Sequence, residues 1–414
     1  MIAVLLVFVL VYVGMFLGGL PRLKLDRTGV ALLGAIAMIA LTGMTIQEAA
    51  QAIDLKTLVL LFAFMLISAQ MRLGGFYTEV TRRVGALPLT APALLGALIA
   101  TAAALSAVFS NDVICLAMTP VVVRLCLARG LNPLPFLIGL ACASNIGSAA
   151  TLIGNPQNML IGSVLGLPFA GYAAMALPPV MVSLLILWLW LVRAPTGMGL
   201  HAQRHDADPP LSNVAFPAFD RWQSFKGLAV ATVLMAVFLF TDWSHEIAAL
   251  VGAGVLLLSR RLHSARVMGL VDWPLLILFI GLFVVNHALE QSGLSAQAVQ
   301  WLASHGVLLH DPGTLLILSA ALSNVVSNVP AVMLLLPHLG EAGHPAGTAL
   351  ALASTFAGNL LLVGSIANLI VADLAARDGI VLDWKRHVVI GLPVTLLSLG
   401  VVWGWMLMVN RPVF

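Results

Sequence analysis

Charge is what this sequence has least of. Asp, Glu, Lys and Arg make up 9% of its 414 residues, where a soluble chain carries about 25%. That scarcity excludes an ordinary soluble domain and a charged disordered one alike. Cysteine is also rare: Cys115, Cys126 and Cys142 all lie in apolar segments, which excludes a disulfide framework. No His-Glu-x-x-His pattern occurs, and the Asp residues in apolar runs form no catalytic pair, so an intramembrane enzyme is disfavoured. Residues 1–20 carry no basic leader and no small-residue cleavage site, so they read as a first span rather than a removable signal.

What fills the sequence is apolar: 61% of residues are hydrophobic and the mean hydropathy is +1.04. Uncharged runs at 58–69, 136–143, 180–192 and 390–409 have the character of membrane spans. In lipid the backbone must satisfy its own hydrogen bonds, so an all-α polytopic membrane protein follows. A pI near 9.0 does not mean nucleic acid, because the basic residues are not gathered on one arm.

The spans are expected at 1–20, 29–43, 55–70, 172–192, 227–241, 247–259, 273–289 and 388–408. Two more, 134–164 and 349–376, are interrupted by Gly154-Asn155-Pro156-Gln157-Asn158 and by Gly364-Ser365-Ile366-Ala367-Asn368. An amphipathic piece covers 74–84. The segments 91–109 and 113–127 look too short to cross separately and have basic residues at both ends. They read as a re-entrant hairpin (91–127) with its tip at Ser110-Asn111-Asp112; a second hairpin, 313–339, has its tip at Ser327-Asn328. The polar stretch 194–226 links the halves 1–193 and 227–414. With both termini outside, eighteen of the twenty Lys and Arg fall in inner loops, Lys56 and Arg411 being the exceptions.

The halves repeat. Ile53-Asp54 matches Val271-Asp272, Ser110-Asn111 matches Ser327-Asn328, and Ala143-Ser144, Gly154 and Asn158 match Ala353-Ser354, Gly364 and Asn368. Because 55–70 runs inward and 273–289 outward, the repeat is inverted: five spans, one re-entrant hairpin and one broken helix in each half.

The block Ser110-Asn111-Asp112 through Thr119-Pro120, with Asn145-Ile146-Gly147 and Gly154-Asn155-Pro156-Gln157-Asn158, resembles the ion transporter superfamily. That group includes arsenite permeases, the pink-eyed dilution protein, citrate permeases and divalent-anion:sodium symporters. The resemblance implies a secondary transporter of the cytoplasmic membrane, often a homodimer. In the dicarboxylate symporters each tip reads Ser-Asn-Thr, and tips and broken-helix loops hold two sodium ions and the substrate carboxylate. Here position 112 is Asp and position 329 is Val, and the second loop lacks the Pro-Asn pair. Asp after Ser-Asn is closer to the proton-coupled arsenite-permease branch.

Read residue by residue, the breaks expose backbone groups that can meet an anion or a cation, and short amide and hydroxyl side chains complete such shells. Ser110, Asn111, Asn155, Gln157 and Asn158 form one half-site, with Ser327, Asn328, Ser365 and Asn368 as the other. Asn145, Asn324 and Asn359 line the cavity or bond between helices. The structural alternative for each residue is a helix cap. Asp112 is a proton carrier or a sodium ligand, or else an N-cap; Asp373 is interfacial. No cofactor beyond a coupling H+ or Na+ is implied. With no Lys or Arg in a span, a weakly charged solute such as arsenite or antimonite, carried as the neutral hydroxide, is favoured over a multiply charged anion. Cys115 is a soft ligand or a packing residue, and His201 with His205 is a metal pair or solvated loop. A sodium/proton antiporter remains the alternative, and the matched halves argue against a channel.

Overall fold

The computed structural model describes residues 1–20, 23–193, 199–201, 218–259, 261–309, 311–339 and 343–409. The first half runs α1 (Ile2–Leu17), α2 (Arg27–Thr42), the short α3 (Ile46–Gln51), α4 (Leu55–Leu73), α5 (Phe76–Ala86), α6 (Ala91–Val108), α7 (Asn111–Ala128), α8 (Pro133–Ser148), α9 (Pro156–Leu165) and α10 (Phe169–Arg193). The second half follows the same order: α11 (Arg221–Phe240), α12 (His245–Leu257), the short α13 (Ser264–Met268), α14 (Trp273–Gln291), α15 (Leu294–Ser304), α16 (Pro312–Val326), α17 (Asn328–Leu335), α18 (Gly343–Ala357), α19 (Ile366–Arg377) and α20 (Trp384–Val409). The only paired strands among the described residues are two residues each, Gly19–Leu20 against Leu25–Asp26.

Seven helices among the described residues are long and apolar enough to cross a membrane: α4, α6, α7, α10, α11, α14 and α20. The ten expected spans are therefore not ten long helices. The helices α1, α2 and α12 are apolar but only 16, 16 and 13 residues long, and the broken spans divide into α8–α9 and α18–α19.

The arms of the first hairpin are not too short, as the sequence suggested. Each has 18 residues, about 27 Å at 1.5 Å per residue. Phe109 and Ser110 form the turn between them. The Asn111 N–H donates to the Gly154 carbonyl at 3.3 Å, so the turn abuts the α8–α9 break. Asn111 and Asp112 are the first residues of α7 rather than part of the turn, and Arg124 lies within α7.

Other boundaries move for stated reasons. Pro156 and Ile366 open helices because Asn155 and Ser365 cap them, the first accepting from the Asn158 N–H and the second from the Ala367 N–H. The breaks are therefore 149–155 and 358–365, and Gln157, Asn158 and Asn368 stand on first helical turns. The helix α11 begins at Arg221, inside the expected linker, and Lys226 Nζ donates to the Leu256 and Leu258 carbonyls at 3.2 and 2.8 Å, satisfying the end of α12. The helix α18 begins at Gly343 and not at 349, and α20 at Trp384, which puts Lys385 and Arg386 in its first turn. The counterpart of the amphipathic α5 is α15, a helix the sequence pattern does not single out. In α5, hydrogen bonds from Arg82 and Arg83 hold the Glu79 carboxyl down to about 2. Arg22, Arg204, Arg260, Glu341, Arg411, His205 and linker positions 194–198 and 202–217 lie outside the described residues.

Two bundles result. In one, α2 packs on α14 and α12 packs on α4, beside α1 and α11. Since α2 and α12 are counterparts, as are α4 and α14, each pairing is the other with the halves exchanged. That is what a two-fold relation requires. The second bundle holds both hairpins and both broken helices, with α6 on α8, α16 on α18, α7 on α19 and α10 on α20. At the α6–α8 crossing a Cβ on Gly147 would stand 2.3 Å from the Ala103 Cα. Gly147→Ala must push two backbones apart, and overpacking of that kind costs about 1–3 kcal/mol. Thermal denaturation in detergent should show a Tm several degrees lower; an unchanged Tm would mean that α6 and α8 do not touch there.

Candidate functional site

The two breaks share a matched pair of carbonyl contacts, and Asn158 Nδ2 alone also meets the Tyr172 hydroxyl, at 3.0 Å. Asn158 Nδ2 donates to the Ser148 and Thr151 carbonyls at 3.4 and 3.0 Å. Asn368 Nδ2 donates to the Gly358 and Leu361 carbonyls at 2.8 and 3.2 Å. Every partner in the second set lies 210 residues beyond its counterpart. Each amide thus satisfies carbonyls that the broken helix leaves without intrahelical donors.

The breaks also reach across to each other reciprocally. Asn155 Nδ2 and Gln157 Nε2 donate to Thr355 Oγ1 on α18 at 3.3 and 3.1 Å. Ser365 Oγ, the counterpart of Asn155, donates to Asn145 Oδ1 on α8 at 3.0 Å, and Asn145 is the counterpart of Thr355. Asn145 is the hub of this network. Its oxygen also accepts from Asn111 Nδ2 at 3.0 Å, and its amide donates to the Asn359 and Asn368 oxygens at 2.9 and 3.1 Å. One buried side chain therefore joins the first hairpin, the first broken helix and the second break.

The hairpin tips are built differently. Neither Ser110 nor Ser327 makes a side-chain cap bond, so the capping alternative holds at the breaks and not at the tips. Around the tips and breaks a set of buried oxygens has no partner: Oδ1 of Asn111, Asp112, Asn158, Asn324 and Asn328. The Asn324 amide is used, donating to the Ala320 and Ala357 carbonyls at 3.0 Å each. Asn359, by contrast, is a strut. Its oxygen is taken by Asn145 and its amide faces the Cys142 carbonyl at 3.5 Å. Gly154 lends its carbonyl to the first tip, Pro156 opens α9, and Gly364 closes the second break.

Asp112 is half-buried in the first turn of α7, one oxygen without a partner. It is not an N-cap. Asp272, the N-cap of α14, lies within electrostatic reach of it. Asp373 pairs with Arg377 at 2.7 Å on the surface. Cys115 is fully buried with its sulfur 2.9 Å from Ser144 Oγ, so it is a packing residue in this arrangement. His201 is exposed, its backbone bridged to Leu131. No three His, Cys, Asp or Glu among the described residues come together to hold a metal.

Several participants do not stand out as site residues in the sequence: Thr355, Tyr172, His387, Asp272, and the matched hydroxyls of Ser106 and Ser323, both buried without partners. The repeat could have found Thr355, Ser106 and Ser323, which sit at the offsets of Asn145 and of the tips. A cavity of about 600 Å3 lies beside the first break, between the start of α4, the end of α9 and the α11–α12 turn. Leu152 and Ile153 of the break form part of its wall, and Lys56, Ser163 and His245 stand around it. At its edge Ser163 Oγ donates to Asp54 at 2.9 Å, joining the two bundles.

Ser327 has φ 78° and ψ 160°, a region that is essentially glycine's, and such strain costs about 1–3 kcal/mol. Ser327→Gly should leave the Tm unchanged or raise it, whereas Ser327→Val should lower it. A Tm that falls for glycine as far as for valine would show that the hydroxyl, not the backbone, matters there.

Comparison with known proteins bears on family and fold. The model of the CitMHS family, described as citrate transporter, matches residues 4–348. The uncharacterized transporter Rv2685 of Mycobacterium tuberculosis is 32% identical over 369 residues, 84% of each chain. The silicon efflux transporter LSI3 of rice (Oryza sativa subsp. japonica) is 29% identical over 447 residues, 91% of each. The crystal structure of the YdaH transporter of Alcanivorax borkumensis has the same fold at 15% identity, with a TM-score of 0.59 over 98% of this chain and 95% of that one. The chain is an integral membrane transporter and belongs to the CitMHS citrate transporter family.

Proposed function

We propose that this transporter is a secondary active one, driven by H+ or Na+. It works by alternating access between two inverted repeats in the cytoplasmic membrane, with both termini outside and as the homodimer that the superfamily resemblance implies. Its cargo is a small inorganic or organic anion, or arsenite or antimonite, and the favoured form is a neutral hydroxide such as arsenous or antimonous acid.

The observation that carries this reading is the set of unpartnered buried oxygens on Asn111, Asp112, Asn158, Asn324 and Asn328. A buried polar atom without a partner costs about 1–3 kcal/mol, and five around matched breaks point to something that pairs with them. Oxygen acceptors suit two kinds of ligand. One is a hard cation, which prefers oxygen; the other is a solute whose own O–H groups donate. A bare anion would need donors, and here the side-chain amide donors of Asn145, Asn155 and Gln157 are spent on bonds between the halves, and those of Asn158 and Asn368 on the carbonyls of their own breaks. A polyhydroxy acid fits the acceptors without requiring a Lys or Arg. The rice relative, named for silicon efflux, works with an element whose dissolved form is also a neutral hydroxide.

Asp112 supplies the coupling. A carboxylate at this depth with one free oxygen takes a proton or a sodium ion in one facing state and releases it in the other. The same free oxygen supports a second reading, sodium/proton exchange with Asp112 binding each cation in turn. Uptake of arsenite into proteoliposomes, with and without an imposed proton or sodium gradient, tests both. Asp112→Asn should abolish gradient-driven accumulation while arsenite exchange without a gradient continues. Accumulation that survives the substitution would remove Asp112 from the coupling step. Gradient-driven sodium movement without any arsenite flux would favour the exchanger.

A further inference from the structure

The last helix of each half caps the same carbonyl, but with different chemistry. Tyr172, the fourth residue of α10, donates its hydroxyl to the Ala149 carbonyl at 2.8 Å, at the end of α8. His387, the fourth residue of α20, places Nε2 at 2.9 Å from the Asn359 carbonyl. Ala149 and Asn359 are counterparts at the offset of 210 that relates the two breaks. Tyr172 and His387 share the offset that relates Pro178 to Pro393 within their helices. Gly391 secures the second contact, since a Cβ there would stand 2.2 Å from the Asn359 oxygen.

Because a carbonyl only accepts, the proton on His387 is on Nε2 and Nδ1 is bare. His387 is fully buried and its Nδ1 has no partner. We propose that His387 is a proton-sensitive positioning residue: it holds the second break in place while neutral and releases it when protonated. Tyr172 performs the same task in the first half without titrating. The physical reason lies in the unpartnered Nδ1. A second proton would put a charged donor in a buried place with no acceptor, which is costly. Acid therefore shifts the population toward arrangements in which the ring meets water, and these lose the bond to Asn359. A tyrosine phenol keeps its proton across the same pH range.

The titratable groups on the surrounding elements are few. The helix α8 brings Cys142, α10 brings Tyr172 and Arg193, α18 has His344 in its first turn, and α16 has none. At the neighbouring end of α19, Asp373 pairs with Arg377 at the surface and Asp378 is buried. On the histidine's own turn Arg386 pairs with Asp383 at 3.6 Å, and Lys385 lies over the Trp384 ring. Asn359, as a strut, is not among the oxygens assigned to solute or cation. The proposal therefore does not depend on which ligand the site takes.

Amide hydrogen exchange of the purified wild-type protein in nanodiscs, compared between pH 7.5 and pH 5 after correction for intrinsic chemistry, tests it without any substrate. Segment 358–365 should exchange about tenfold faster at the acid end, while segment 149–155, capped by Tyr172, should not change. His387→Gln, which keeps an N–H donor but cannot titrate, should flatten the response at 358–365. His387→Tyr, copying the first half, should do the same. Equal pH response at both breaks in the wild type would overturn the proposal, and so would a response that persists in either folded variant. Failure of arsenite transport would leave this result untouched, so the two readings fail separately.

Discussion

A helix broken inside an apolar medium must satisfy its own loose backbone groups, because neither lipid nor water is there to do so. Everything distinctive in this chain follows from having two such breaks. Asn158 and Asn368 each turn an amide back onto two orphaned carbonyls, and Asn155 and Ser365 cap the helices that resume. Once these local needs are met, the remaining hydrogen-bond capacity reaches across, Asn155 to Thr355 and Ser365 to Asn145. The reciprocity of those two contacts ties the halves into one body at their weakest points. Loss of Asn145 would leave polar groups of three separate segments without partners.

Against that symmetry, the differences between the halves are informative. The first tip carries Asp112 where the second has Val329. The second tip is strained at Ser327 while Ser110 has ordinary extended backbone. The closing helices offer a phenol in one half and an imidazole in the other. In the proposed alternating-access cycle, symmetry would supply two equivalent arrangements, and these departures would supply the groups that respond to protons or cations. The unpartnered oxygens lie at the tips and breaks of the hairpin bundle. The Asp54–Ser163 bond marks where that bundle touches the other one beside the cavity.

The broad architecture was legible in the sequence because apolar runs and out-of-place polar clusters are strong signals. Ser110-Asn111 and Ser327-Asn328 both prove to begin helices at hairpin turns, and the polar breaks fall within a few residues of where they were expected. The boundaries were less legible. Pro156 looked like part of a loop, yet proline is at home in a first helical turn, so the break lies upstream of it. Arg221 and Lys226 looked like linker, yet Lys226 reaches along its helix to the carbonyls at the end of α12. Thr355, Tyr172 and His387 are single polar residues in apolar surroundings whose partners are distant in sequence. Only the contact across the fold gives them meaning, although the repeat offset pointed to Thr355.

The proposed basis of selection is that buried acceptor oxygens favour a solute that donates hydrogen bonds. Direct binding to the purified protein in detergent, measured by calorimetry with arsenous acid, silicic acid, sulfate and citrate under matched conditions, tests it most directly. Heat is expected from one or both neutral hydroxides and none from sulfate, with binding weakened at least tenfold by the pair Asn111→Ala and Asn328→Ala. Tight binding of citrate or sulfate that ignores both substitutions, with no binding of either hydroxide, would contradict it.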